Sequence, residues 1–237
     1  MVETPKPAVE TPTPAVETPK PAVETPKPAV ETPKPAVETP KPAAGLKEIK
    51  PGFLAVDLAG ACNNDGITEE ADRRDADLDE WKQSFPAEEL PNAGLFEPKD
   101  VQAAFQFPDK GAGKKNNVAC TGQTIPLAGK AKALLLLASA TDANQEAKLG
   151  IEYADGAVEA DLKVSDWCGD PKFGEKDGVV CAHRIAAPAD GGTNMTKEEK
   201  KCRLWVVTVP FDGNRELKAV KLPNNPKIHI FAATLAK

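Results

Sequence analysis

From residue 45 onward, short apolar runs recur between clusters of Gly, Pro, Asn and Asp, and that spacing predicts strands rather than helices. The expected strands are Phe53 to Leu58, Val101 to Phe107, Ala133 to Ala138, Lys148 to Tyr153, Val158 to Val164, Val179 to Ile185, Arg203 to Pro210, Leu217 to Leu222 and Ile228 to Leu235. Val101, Ala103, Phe105 and Phe107 alternate with other residues at period two, as in a half-buried strand. The run Leu134-Leu135-Leu136-Leu137 is apolar on both faces, which predicts a central strand covered twice. Gly129 and the Ala140-Thr141-Asp142 turn leave it too short for a helix. Between two alternating runs, Asp155-Gly156 predicts a tight hairpin, because such turns need residues that accept positive φ. So many short strands point to an all-β fold: a two-sheet antiparallel sandwich of the jelly-roll kind.

The first 43 residues follow a different pattern. Six copies of Val-Glu-Thr-Pro-Lys-Pro-Ala run from Val2 to Ala43, with Thr13 the single departure. Two prolines in seven remove donors and hold their predecessors extended, so neither helix nor ladder strand is expected. Polyproline II is, at about 3.1 Å per residue and roughly 130 Å for the whole repeat. Seven is one more than a multiple of three, so successive copies rotate by about 120° and no continuous apolar stripe forms. The organisation expected is a stalk over residues 1–44 and a β-sandwich over 45–237. The repeat reads as a solvated spacer or as an element that packs laterally in an assembly.

Net charge is −6 and no basic block occurs, which speaks against nucleic acid as a partner. The uncharged run Ala133 to Ala140 is far short of the roughly 20 residues that span a bilayer. There are two histidines, His183 and His229, and none of Ser84, Ser139 and Ser165 sits in a nucleophile-elbow pattern. The chain is therefore read as non-catalytic.

The acidic stretch Asp65 to Glu89 contains Asp75-x-Asp77-x-Asp79. Counted from Asp75, the positions that an EF-hand loop needs as glycine and bidentate acid are Glu80 and Pro86, which excludes that loop. A structural calcium site built from Asp57, Asn63, Asp65, Asp77 and Asp79 is the alternative to a solvated acidic loop; no other cofactor is expected. Trp81, Trp167 and Tyr153 are candidates to stack on sugar rings, whereas Trp205, inside Leu204-Trp205-Val206-Val207, reads as core. Five cysteines leave one unpaired. Cys181 and Cys202 flank the polar loop 186–201 and form one candidate disulfide. Cys62 and Cys120, each beside an Asn-Asn turn, form a second, leaving Cys168 free. Cys168, Cys181, His183 and Cys202 have no common zinc spacing.

Asn63-Asn64-Asp65-Gly66-Ile67, Asn116-Asn117-Val118, Gly122-Gln123-Thr124-Ile125-Pro126-Leu127, Tyr153-Ala154-Asp155-Gly156, Ser165-Asp166-Trp167 and Leu222-Pro223-Asn224-Asn225 with Phe231-Ala232 follow one another in the chain. In that order they resemble the bacterial accessory β-sandwiches, of galactose-binding-like form, that are appended to secreted glycoside hydrolases. The resemblance spans roughly residues 53 to 235. It implies a carbohydrate-associated binding module without catalysis, with a polysaccharide or glycan as partner. No export signal opens the sequence, since Met1 is followed by Val-Glu-Thr-Pro. Stalk and resemblance together imply a secreted or cell-surface protein. The second expectation is a structural subunit of an extracellular filament or surface layer, partnered by copies of itself.

Overall fold

Two kinds of strand pattern build two kinds of sheet. The computed structural model describes residues 46–69, 76–188 and 194–237, all within one unit, Thr39–Lys237; the repeat and its expected polyproline II conformation lie outside them. In chain order the strands are β1 (Lys47–Lys50), β2 (Phe53–Val56), β3 (Ile67–Thr68), β4 (Phe85–Pro86), β5 (Gly94–Phe96) and β6 (Phe105–Phe107). They continue with β7 (Val118–Thr121), β8 (Thr124–Gly129), β9 (Ala133–Ala140), β10 (Gln145–Tyr153), β11 (Gly156–Val164) and β12 (Lys176–Cys181). The last are β13 (Arg184–Ala186), β14 (Thr196–Glu198), β15 (Cys202–Pro210), β16 (Leu217–Lys221) and β17 (Asn224–Ala236). The larger sheet runs β1-β2-β17-β9-β15-β12, with β7 also paired to β17; the smaller runs β11-β10-β16-β8. Every pairing within these two sheets is antiparallel. The fold is the two-sheet antiparallel β-sandwich that the strand pattern predicts.

The strands of the smaller sheet alternate cleanly. In β10, Leu149, Ile151 and Tyr153 point inward while Glu146, Lys148 and Glu152 face solvent. The larger sheet is apolar on both sides. Leu134, Leu136 and Ala138 meet the smaller sheet, whereas Leu135 and Leu137 enter a second core on the outer face. Trp205 and Val207 likewise face inward, and Leu204 and Val206 outward. Each leucine so buried contributes roughly 1.5–3 kcal/mol, and this is why the four consecutive leucines show no alternation.

The outer core is closed by an irregular cover, residues 57–69 and 76–117, which contributes Ile67, Leu78, Phe85, Leu90, Phe105 and Phe107. Phe85 packs edge-on to both Trp167 and Phe231, with ring centroids 5.0 and 5.6 Å away. Thr234 Oγ1 of β17 donates to the Ala104 carbonyl at 2.7 Å, fixing the cover's height over the sheet.

Two expected strands are shorter than their patterns imply. Val101 to Phe107 is a strand only from Phe105, because the Ala103 amide turns back to the Val101 carbonyl at 2.9 Å. The segment Val179 to Ile185 breaks after Cys181 and resumes at Arg184. There the Ala182 amide and the His183 ring both turn to Glu89 in the cover, at the expense of the ladder. The hairpin expected at Asp155-Gly156 joins β10 to β11, with Tyr153 opposite Gly156 and φ of +141° at that glycine. The turn residues themselves are Ala154 and Asp155.

Candidate functional site

The paired asparagines knit the cover to the larger sheet. Asn64 and Asn117 form an isolated antiparallel bridge, and the Asn63 side chain clamps both backbone groups of Ala119 at 2.8 and 3.0 Å. Asn117 Nδ2 donates to Asn64 Oδ1 at 2.9 Å and to Asn116 Oδ1 at 3.0 Å. Asn116 in turn donates to the Asp65 carboxylate and accepts from the Gly66 amide. His229 of β17 stands 3.0 Å from Asn117 Oδ1 through Nδ1. Since that oxygen accepts, Nδ1 carries the ring proton. At 2% exposure, burial pulls the His229 pKa down to about 4, so the ring is neutral near pH 7.

This network continues outward to one exposed aromatic. The Asp77 amide donates to the Asp65 carbonyl at 2.8 Å, and Asn64 Nδ2 donates to the Asp77 carbonyl at 2.9 Å. Asp77 then takes the Lys82 amide at 2.9 Å and its ammonium at 2.8 Å. Asp79 Oδ1 accepts the amides of Trp81 and Gln83 at 3.0 and 3.2 Å, and the Leu78 amide closes on the Gln83 carbonyl at 2.7 Å. Burial raises the Asp79 pKa against the lowering pull of those two amides. Glu80 and Lys82 both sit in the left-handed region, at φ of 68° and 61°, a conformation that costs a non-glycine residue about 1 kcal/mol or more. Between them Trp81 stands out with 68% of its surface exposed.

The other two aromatic candidates are structural. Trp167, at 3% exposure, packs on Phe85 and lies under the Arg184 guanidinium at 5.6 Å. Tyr153, at 4%, accepts the Asp212 amide at its hydroxyl, while Arg215 lies 4.0 Å from its ring and grips Asp155 through Nε and Nη2. Neither ring is open to a sugar, and no sequence signal tied those arginines to those rings. Trp205 is fully buried, as expected of a core residue.

The five oxygen residues expected around calcium do not converge. Asp57 accepts the Ala59 amide, Asp77 and Asp79 hold the Trp81 turn, and Asp65 and Asn63 hold Asn116 and Ala119. Among the described residues no group of three or more His, Cys, Asp or Glu side chains is placed to hold a metal, Cys168, Cys181, His183 and Cys202 included. His183 is instead held by Glu89 at 2.8 Å and approached by Glu88 at 3.6 Å.

All five cysteines are free thiols. Cys181 and Cys202 are direct partners across β12 and β15. Hydrogen bonding to Cys181 and then burial push the Cys202 thiol far up, and Cys202 Sγ also donates to the His183 carbonyl at 3.3 Å. Burial pushes Cys120 up to about 12 and Cys168 up to about 11, and raises Cys62, which is half-buried. These four thiols are held away from the thiolate form near neutral pH.

Among the described residues no helix is long and apolar enough to cross a membrane. No curated protein matches the chain. Residues 53–237 match the family described as "AziU2-like beta-sandwich domain", a span that opens at β2 and takes in the smaller sheet, the larger sheet apart from β1, and the outer cover. The chain belongs to the AziU2-like beta-sandwich domain family.

Proposed function

We propose that this protein is a non-catalytic binding module, secreted or displayed at a cell surface, that recognises carbohydrate through Trp81. The observation that carries the reading is the Trp81 turn. The backbone that carries this exposed indole is held by the Asp77 and Asp79 caps and two left-handed residues, so the turn that presents the ring is formed before a ligand arrives. A rigid aromatic platform suits the apolar face of a sugar ring. Both imidazoles are buried, His229 in the asparagine network and His183 between glutamates, which supports a role without proton transfer. The proline-rich repeat, read as a spacer, supports display away from an attachment point.

Calorimetry with plant, algal and bacterial polysaccharides tests this directly. Wild type binds at least one of them, and Trp81→Ala weakens that binding by about tenfold or more, the usual cost of removing a central aromatic anchor. An absence of binding to all three classes, or an unchanged affinity in Trp81→Ala, defeats the reading.

A second reading, self-assembly, draws on the sheet edges. Val180 on β12 and Val158 on β11 are each 43% exposed, and both strands end their sheets. Open edges accept a strand from a neighbour. A full-length chain that stays monomeric by light scattering over a wide concentration range removes this alternative.

A further inference from the structure

On the outer face, β2, β6 and β17 floor a cleft of about 550 Å³, within the range of small-molecule sites. Its apolar floor includes Val56, Leu58, Phe107 and Phe231. The ladder between β17 and β9 shifts register between Ile230 and Ala232. That bulge turns two consecutive apolar residues, Phe231 and Ala232, to the outer core, and both line the cleft. Bulges re-aim side chains in this way beside binding sites.

The mouth carries one more positive than negative side chain, in a chain whose net charge is −6. Lys47, Lys114 and Lys115 border it, against Asp57 and Asp109. Both acids are engaged in their own turns: Asp57 accepts the Ala59 amide at 2.9 Å and Asp109 the Gly111 amide at 3.0 Å. Lys114 reaches Asp109 only at 4.0 Å. Among the described residues, Lys47 and Lys115 make no ion pair.

We infer that this cleft binds a small amphipathic anion, a carboxylate with an apolar body. The body lies along Leu58, Cys62 and Pro108, over a floor closed beneath by the buried Phe107 and Phe231, and the charged end meets Lys47 and Lys115. Trp81 does not line this cleft, so the site is separate from the Trp81 platform and does not depend on it. Burial of the apolar body supplies the affinity, and the lysines select charge.

Titration calorimetry of the full chain with decanoate, below its micelle concentration, and with decan-1-ol as the uncharged comparison provides the test. Decanoate binds one to one and more tightly than decan-1-ol. Replacing both exposed lysines (Lys47→Gln with Lys115→Gln) weakens decanoate by roughly three- to tenfold, as expected of two solvent-facing ion pairs. Gln106→Trp, at an exposed position on the lining, fills the cleft and abolishes binding with the circular dichroism spectrum unchanged. Decanoate also slows alkylation of Cys62, which lines the same cleft. No saturable decanoate binding overturns the inference. So does equal binding of decanoate and decan-1-ol that the lysine replacements leave unchanged. Neither result bears on polysaccharide binding at Trp81, which is read in a separate titration.

Discussion

His229 shows how much one buried polar residue can set. Its ring is neutral in the fold, with a pKa of about 4 against 6.5 for an unperturbed histidine. The folded value is the lower one, so the unfolded chain binds more protons between the two. Stability contributed by the neutral ring is complete above about pH 6.5 and falls as pH drops toward 4. From pH 7 to pH 5 the loss through this one residue is about 2 kcal/mol. Urea unfolding of wild type and His229→Gln at both pH values checks it, with the variant showing the smaller difference. Its partner is equally exacting. Asn117→Ala strips an acceptor from His229 and a donor from Asn64, and the expected cost is about 2–3 kcal/mol in the same assay. Gly178, where the ladder between β12 and β15 shifts register, admits no methyl group: a Cβ there meets Leu137 Cδ1 and lies 2.9 Å from the Leu204 carbonyl. Gly178→Ala is therefore expected to destabilise by about 1–3 kcal/mol, read as a lower urea midpoint.

At the scale of elements, the sequence was most legible where alternation was strongest. Leu149, Ile151 and Tyr153 announce β10, and the Leu134 to Leu137 run announces a strand with cores on both sides. The breaks were not legible, because their causes lie far away in the chain. His183 leaves the ladder for Glu88 and Glu89, and Tyr153 is capped by Arg215; no local pattern marks either event. The candidate site was legible only in part. Trp81 was among three aromatics, and what separates it from Trp167 and Tyr153 is the company of distant arginines. Its oxygen-rich surroundings resembled a cation site in sequence, but the carboxylates serve as turn caps. The cleft had no linear signature at all, since its floor is assembled from β2, β6 and β17. One element-level expectation concerns β12 and β15. We propose that Cys181 and Cys202, facing one another in register, close a disulfide under oxidising conditions such as oxidised glutathione, two thiols giving up two electrons and two protons. Closing that loop of about 20 residues would add roughly 3 kcal/mol. Non-reducing peptide mapping after incubation with oxidised glutathione recovers the two cysteines as one linked species; full alkylation of both before reduction refutes the bond. Cys62 and Cys120 offer the second proposed pair, and the same map reads it.

Taken together, the described residues form a larger sheet with a different covering on each side. The smaller sheet covers one face by regular alternation, with ion pairs Lys148–Asp161 and Glu146–Lys163 across its solvent side. The other face is covered by a stretch with little regular structure, fastened by asparagines and by Thr234. Fastening by polar groups predicts unequal stability. Hydrogen exchange should find amides of the cover, such as those of Gly66 and Asp77, opening more readily than Leu136 of β9, and the gap should widen as pH falls from 7 to 5. Equal protection throughout would show the cover and sandwich to open as one unit.

The position of β17 has a consequence for synthesis on the ribosome. This 13-residue strand lies between β2 and β9 and also holds β7, yet every other strand precedes it in the chain. At about 5–20 residues per second, β9 emerges on the order of ten seconds before its neighbour exists. During that interval Leu134 to Leu137 have neither a ladder partner on that side nor the His229 anchor for the cover. The nascent chain must therefore wait with its most apolar strand unsheltered, and a holding chaperone, rather than a faster folding step, is what would raise its yield.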